Sequence, residues 1–199
     1  MKTIGITGGV GAGKSTVLNY MESHLEACVL EADKIGHLVM EPGPSCYEPV
    51  IALFGKQVIK NDKTIDRRLV SDVVFSHPDM LEKLNHIIHP AVKEYIRRQL
   101  ALKKEEGQRI CVVEAALLLE DHYEEFCDTV WYIRTDSEIR IRRLMESRGY
   151  TREKSMSIIA SQAPEEFFRT HTDYVVTNNT DLEDTWQQIR EGIKKYETL

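Results

Sequence analysis

No apolar run in this chain approaches the length that a membrane-spanning helix needs, about 20 residues. Surplus positive charge is missing too: 26 Lys and Arg stand against 32 Asp and Glu, a net charge of -6. Wholesale binding to nucleic acid or to anionic membrane rests on phosphate neutralisation by excess cations, so neither partner is expected and any phosphate binding must be local. Cysteine is sparse. Cys28, Cys46, Cys111 and Cys127 lie far apart with no C-x-x-C pair, which points to reduced packing residues rather than a disulfide framework. The chain enters a strand pattern directly after Met-Lys-Thr, without the apolar stretch and small-residue cleavage site of a secretory leader, so a cytoplasmic location is the expectation. Internal repeats, low-complexity tracts and linkers are also lacking.

What remains is a globular composition, 42% hydrophobic and 29% charged over 199 residues, enough to bury a core without metal or disulfide staples. Short apolar runs alternate with helical patterns: "TIGIT", a helix from about Lys14 to His24, "CVLEAD", "RICVVEA", "TVWYIR" and "DYVVT". Such alternation predicts an α/β fold with five parallel strands, and the dense Val and Ile suit strands covered by helices on both faces. From about residue 34 to 106 no strand pattern appears. The stretches "EPGPS" and "SHPD" break this segment, while "MLEKLNHIIH" and "PAVKEYIRRQL" carry apolar residues at helical spacing, Pro90 suiting a first helical turn. A helical insertion is therefore expected, with Phe54, Leu69, Phe75 and Leu84 in its core. A second, arginine-rich helical excursion over about 137–172 precedes the last strand, all within one domain spanning 1–199.

The first strand runs into "IGITGGVGAGKST", where Gly8, Gly13, Lys14 and Ser15 satisfy G-x-x-x-x-G-K-[S/T] between a strand and a helix. Triphosphate oxygens need several backbone N–H groups aimed inward at once, and a chain curls that tightly around an anion only where Cβ atoms are missing. Gly9 and Gly11 relax the loop further. The following helix aims its free N–H groups and positive dipole end at the same anion; Lys14 would reach the β- and γ-phosphates, and the Ser15 hydroxyl would ligate Mg²⁺. The loop is read as a nucleoside triphosphate cradle.

The acceptor must be sought elsewhere. Asp33 ends "CVLEAD", and ligands of open α/β sheets bind beyond the carboxyl ends of the strands, so Asp33 could take a proton from an attacking hydroxyl or hold the metal's water. Capping of a helix starting at Lys34 is the competing role. "DKIG", residues 33 to 36, also fits the D-x-x-G of GTP-dependent switches, but no guanine-reading N-K-x-D occurs, nor the L-S-G-G-Q of transporter ATPases. An insertion plus an arginine-bearing segment suits a small-molecule kinase, which must close over two substrates and exclude water. Arg140 and Arg143, three apart with Arg148 beyond, read either as a solvated basic face or as a lid, with Arg143 favoured as the cation over the transferring phosphoryl. His86 and His89 have metal-pair spacing but no third ligand, and His89 before Pro90 is expected to shape a turn or touch substrate. Glu114, ending the third strand, could hold Mg²⁺ through water or merely cap a helix.

Taken in order, "IGITGGVGAGKST", "EADKIGHLVMEPG", "IDRRLVSDVVFSHP", "IIHPAV", "ALLLE", "RLMESRGYTREKS", "ASQ" and "DYVVTNN" resemble the dephospho-CoA kinase family over nearly the whole chain. The resemblance implies a three-layer P-loop NTPase fold with a helical substrate-binding insertion and a helical lid. It implies transfer from ATP, with Mg²⁺, to the ribose 3′-hydroxyl of dephospho-coenzyme A. By the same resemblance Asp33 is the general base, beside Lys14 and Arg143 as catalytic residues. Gly9, Gly11, Ala12, Gly13, Lys14, Ser15, Thr16, Arg148 and Asn178 would hold the nucleotide, with Asn178 near adenine, and Thr7, Asp33, Arg67, His89 and Gln162 would face the acceptor. ATP and dephospho-CoA would be the partners of a monomer or weak homo-oligomer. Two departures stand out: Glu31-Ala32-Asp33 replaces the usual D-A-D, and Ala116 replaces the Pro before "LLLE". Another small-molecule kinase and a nucleotide-dependent switch are the competing functions.

Overall fold

The structure is a computed structural model that describes residues 1–43, 45–179 and 181–197. Pro44 of the "EPGPS" break lies outside the described residues. The chain forms two compact units, one of Met1–Leu30 with Leu102–Leu199, the other of Glu31–Ala101.

The first unit is built on β1 (Lys2–Thr7), β2 (Cys28–Glu31), β3 (Ile110–Glu114), β4 (Thr129–Arg134) and β5 (Tyr174–Thr177). They form one five-stranded sheet in the order β2-β3-β1-β4-β5. β1 lies at the centre, parallel to β3 (Ile4 opposite Val112) and to β4 (Ile6 opposite Trp131), and β5 runs parallel to β4. The continuous Val/Ile runs follow from this position: every residue of β3 is buried, because helices cover both faces. Helices α1 (Lys14–Leu25) and α9 (Leu182–Glu197) lie in this unit. Val17 and Met21 of α1 and Ile189 of α9 join Ile4, Ile6, Val112, Trp131 and Ile133 in a single core. Tyr20 of α1 stacks on Trp186 of α9 with ring centroids 4.1 Å apart. Gly192 lets α9 descend onto the sheet, since a Cβ there would come within 2.7 Å of the Trp131 ring. The arginine-rich excursion is α6 (Ser137–Arg148), α7 (Arg152–Ala160) and α8 (Glu165–Thr170).

The second unit is helical, as the missing strand pattern predicts. It holds α2 (Ala32–Leu38), α3 (Tyr47–Phe54), α4 (Arg67–Ser76) and most of α5 (Pro78–Glu105), with one isolated antiparallel bridge, Ile59 to Ile65. Its core includes Val50, Val58, Val92 and Ile96, and Cys46 donates through its thiol to the Ile87 carbonyl at 3.4 Å.

Three expectations change here. Pro90 does not begin a helix: α5 is continuous and Pro90 lies inside it, while Pro78 takes the first-turn place that suits a missing N–H. His89 consequently sits mid-helix and shapes no turn. Phe54 and Leu84 are buried, but Leu69 is 44% and Phe75 92% exposed. The buried residue of α4 is Val70, and at about 100° per residue Phe75 falls roughly 140° around the helix from it. Among the described residues no helix is long and apolar enough to cross a membrane.

Candidate active site

β1 ends in Thr7, and the chain turns through residues 8 to 13 into α1. Gly13 is the residue before the helix, at φ 86 and ψ 26, a left-handed conformation that L side chains avoid. A Cβ on it would also strike the Asn178 amide, and one on Gly9 would strike the Arg140 guanidinium. Sequence therefore dictates shape twice at this loop, through backbone freedom and through the room that glycine leaves for neighbouring side chains. The N–H groups of Gly11, Gly13, Lys14 and Ser15 find no backbone acceptor among the described residues, as the first turn of a helix requires. Amides left open in this way can line an anion cradle.

Lys14, the first residue of α1, donates from Nζ to the Gly8 carbonyl at 2.8 Å and ion-pairs with Glu114 Oε1 at 3.5 Å. Glu114 ends β3 and is 7% exposed, so the cation and the carboxylate meet at the carboxyl edge of the sheet. Ser15 and Thr16 are exposed on the first turn. The Thr7 hydroxyl is fully buried and has no hydrogen-bond partner among the described residues.

Two sets of side chains brace the loop from behind. Arg140 of α6 donates through Nε to the Val10 carbonyl at 2.8 Å and through its guanidinium to Gln162 Oε1, which also accepts from the Val10 N–H at 3.1 Å. Both polar groups of Val10 are thereby fixed by side chains distant in sequence. At Ala12 the carbonyl oxygen receives Asn178 Nδ2 at 2.9 Å, Thr135 Oγ1 at 3.0 Å and an Arg143 Nη at 3.3 Å. Arg143 also donates to the Asn178 carbonyl at 3.0 Å. Burial pushes the pKa values of both guanidinium groups down. Neither arginine is paired with a carboxylate among the described residues. Half-buried cations without a carboxylate are costly, and a bound polyphosphate would offset that cost.

The predicted residues thus fall into groups. Gly9, Gly11, Ala12, Gly13, Lys14, Ser15, Thr16, Arg143, Gln162 and Asn178 are brought together around the loop, with Thr7 at its root. Arg148 is not: it is exposed, 6.0 Å from the Tyr150 ring. Asn178 is 1% exposed, and its amide braces the loop at the Ala12 carbonyl. Arg140, which reads either as a solvated face or as part of a lid, is a partner of Val10, and its three-residue spacing from Arg143 is the local signal that groups them. Thr135, just beyond β4, carried no sequence signal. In the second unit, Asp33 is exposed in the first turn of α2, whose N-cap is Glu31, which excludes the capping role for Asp33. Arg67 is the exposed first residue of α4, and His89 is half-buried in α5.

A central parallel strand, a glycine-rich turn with lysine and a helix behind it define a P-loop kinase fold. Solved structures named shikimate kinase (Bacteroides thetaiotaomicron, 15% identical, TM-score 0.51) and gluconokinase (Sinorhizobium meliloti, 13% identical, TM-score 0.52) share it. Residues 2–184 match the family described as CoaE: Dephospho-CoA kinase, and the chain belongs to that family. A dephospho-CoA kinase of Geobacillus kaustophilus is 33% identical over 99% of this chain and 98% of its own length. One of Shouchella clausii is 32% identical over 96% and 97%. The solved structure of a dephospho-CoA kinase from Campylobacter jejuni, 25% identical, superposes with TM-score 0.74 over 98% of both chains.

Proposed function

We propose that this kinase transfers the γ-phosphoryl group of ATP to the ribose 3′-hydroxyl of dephospho-coenzyme A, giving coenzyme A and ADP. The observation that carries the reading is the near full-length family match on a chain whose loop amides, Lys14, Arg140 and Arg143 converge on one anion site.

In phosphoryl transfer, positioning and charge stabilisation dominate. The unpaired N–H groups of Gly11, Gly13, Lys14 and Ser15 hold the polyphosphate, with Gly9, Ala12 and Thr16 shaping the cradle. Lys14 leaves Glu114 for the β- and γ-oxygens. Arg143 spends two of five donor hydrogens on carbonyls and presents the others to the transferring group; Arg148 would follow from the lid. Asp33 accepts the proton of the attacking ribose hydroxyl or fixes its orientation. Arg67 and His89 bind the acceptor's phosphate or ribose, and the orphaned Thr7 hydroxyl and Gln162 line its approach. The donor set at this edge suits Mg²⁺: the Ser15 hydroxyl and the Glu114 carboxylate are hard oxygen ligands of the kind that leave metal positions to water and phosphate. When bound, Mg²⁺ neutralises charge on the β- and γ-oxygens.

The test incubates the purified chain with ATP, Mg²⁺ and dephospho-CoA and follows acceptor mass, with ³¹P NMR to locate the new group. One added phosphate on the ribose 3′-oxygen is expected. Transfer to nucleotides or sugars with none to dephospho-CoA would instead support another small-molecule kinase.

A further inference from the structure

Far from the P-loop, where β1, β3 and β4 begin, the first unit contains a cavity of about 310 Å³. We propose that it is a binding site for a small amphipathic anion: an aromatic ring bearing one carboxylate, sulfonate or phosphate group.

Charge is the first reason. The cavity is lined by the lysines Lys2 and Lys104, with Arg109 beside them, and by no carboxylate side chain among the described residues, in a chain whose net charge is -6. A concentration of cations in an acidic protein creates a local positive potential that draws anions. Apolarity is the second. Ile4, Ile110 and Ile193 give the floor a hydrophobic surface, which an inorganic ion would leave uncovered. Tyr196 adds a ring for stacking, held in place by Trp131 at 6.4 Å between centroids and by its hydroxyl on the Asp173 carbonyl at 3.4 Å.

The walls are built before any ligand arrives. Lys2 N–H donates to the Arg109 carbonyl at 2.8 Å, and Gln108 Nε2 donates to the Ile110 carbonyl at 3.3 Å. A preformed cavity spares the ligand the ordering cost of making one. Its volume lies at the small end of ligand sites, roughly 300–1,000 Å³, which fits one ring system and an acidic group and excludes a whole coenzyme. β1 separates it from the loop by five residue steps, about 17 Å at 3.3 Å each, so both sites can be filled together.

8-Anilinonaphthalene-1-sulfonate serves as the probe, titrated by fluorescence into the full chain with saturating Mg·ATP. One site is expected, with the uncharged N-phenyl-1-naphthylamine binding about tenfold more weakly or worse. Lys2→Glu with Lys104→Glu should weaken the sulfonate about tenfold or more, and Ile193→Phe should weaken both probes by filling the floor. Thermal melting establishes that each variant is folded; Lys2→Gln with Lys104→Gln replaces the charge reversal should that variant fail to fold, with weakening again expected. Equal affinity for the charged and uncharged probes, no loss on charge removal, or displacement of the sulfonate by Mg·ATP would each overturn the proposal.

Discussion

The Ala12 carbonyl oxygen receives three donors although it has two lone pairs, and one of them, the Thr135 hydroxyl, also lies 3.2 Å from the Asn178 carbonyl with one hydrogen to give. Thr135→Val should therefore loosen the loop without dismantling it: KM for ATP is expected to rise about fivefold with kcat little changed, the scale of one buried hydrogen bond. Steady-state kinetics checks it. Lys14→Ala should cost at least as much kcat as Asp33→Ala, because charge stabilisation outweighs proton removal in phosphoryl transfer; the reverse order would contradict the roles given to both. At this scale the sequence exposed the motif residues, whose spacing is local. It concealed the bracing contacts, since Thr135, Arg140 and Gln162 meet the loop only through folding, over separations of 123 to 152 residues.

Among the elements, strands were the most legible. Buried parallel strands leave unbroken apolar runs, and the five expected are the five present. Helix α5 was not legible across Pro90, because an interior proline costs about 3 kcal/mol and normally marks an end. Here Leu84, Val92 and Ile96, all buried on α5, offset that cost at roughly 1.5–3 kcal/mol each. Phe75 was misread for a related reason: apolar content alone does not reveal which side of α4 faces inward. The approach of α9 to Trp131 at Gly192 yields a prediction. Gly192→Ala gains helix propensity of about 1 kcal/mol yet forces a methyl within 2.7 Å of the indole. A net loss of about 1–2 kcal/mol is expected, read as a melting temperature lower by about 2–8 °C.

For the molecule as a whole, burial dominates the thiols. It pushes Cys111 and Cys127 up to about 12, whereas an unfolded thiol loses its proton near pH 8.5 (about). Between those values the folded chain binds more protons than the unfolded one, so stability is complete below about pH 8.5 and falls as pH rises toward 12. Urea midpoints should drop across pH 8 to about 10.5, and Cys127→Ala should flatten part of that slope. A midpoint independent of pH in that window would contradict the burial of these thiols. Composition and spacing pointed to reduced cysteines, and all four are free. They could not foretell that a net charge of -6 coexists with a cation-lined loop and a cation-lined cavity, because net charge averages over surfaces that folding separates.

The loop as a polyphosphate receptor is tested most directly by titration calorimetry of Mg·ATP into the wild-type chain and into Gly13→Ala. The wild type is expected to bind one nucleotide. The variant, whose methyl meets both a left-handed backbone and the Asn178 amide, is expected to lose at least about a hundredfold in affinity while staying folded. Equal affinities for the two proteins, or no heat with either, would contradict it.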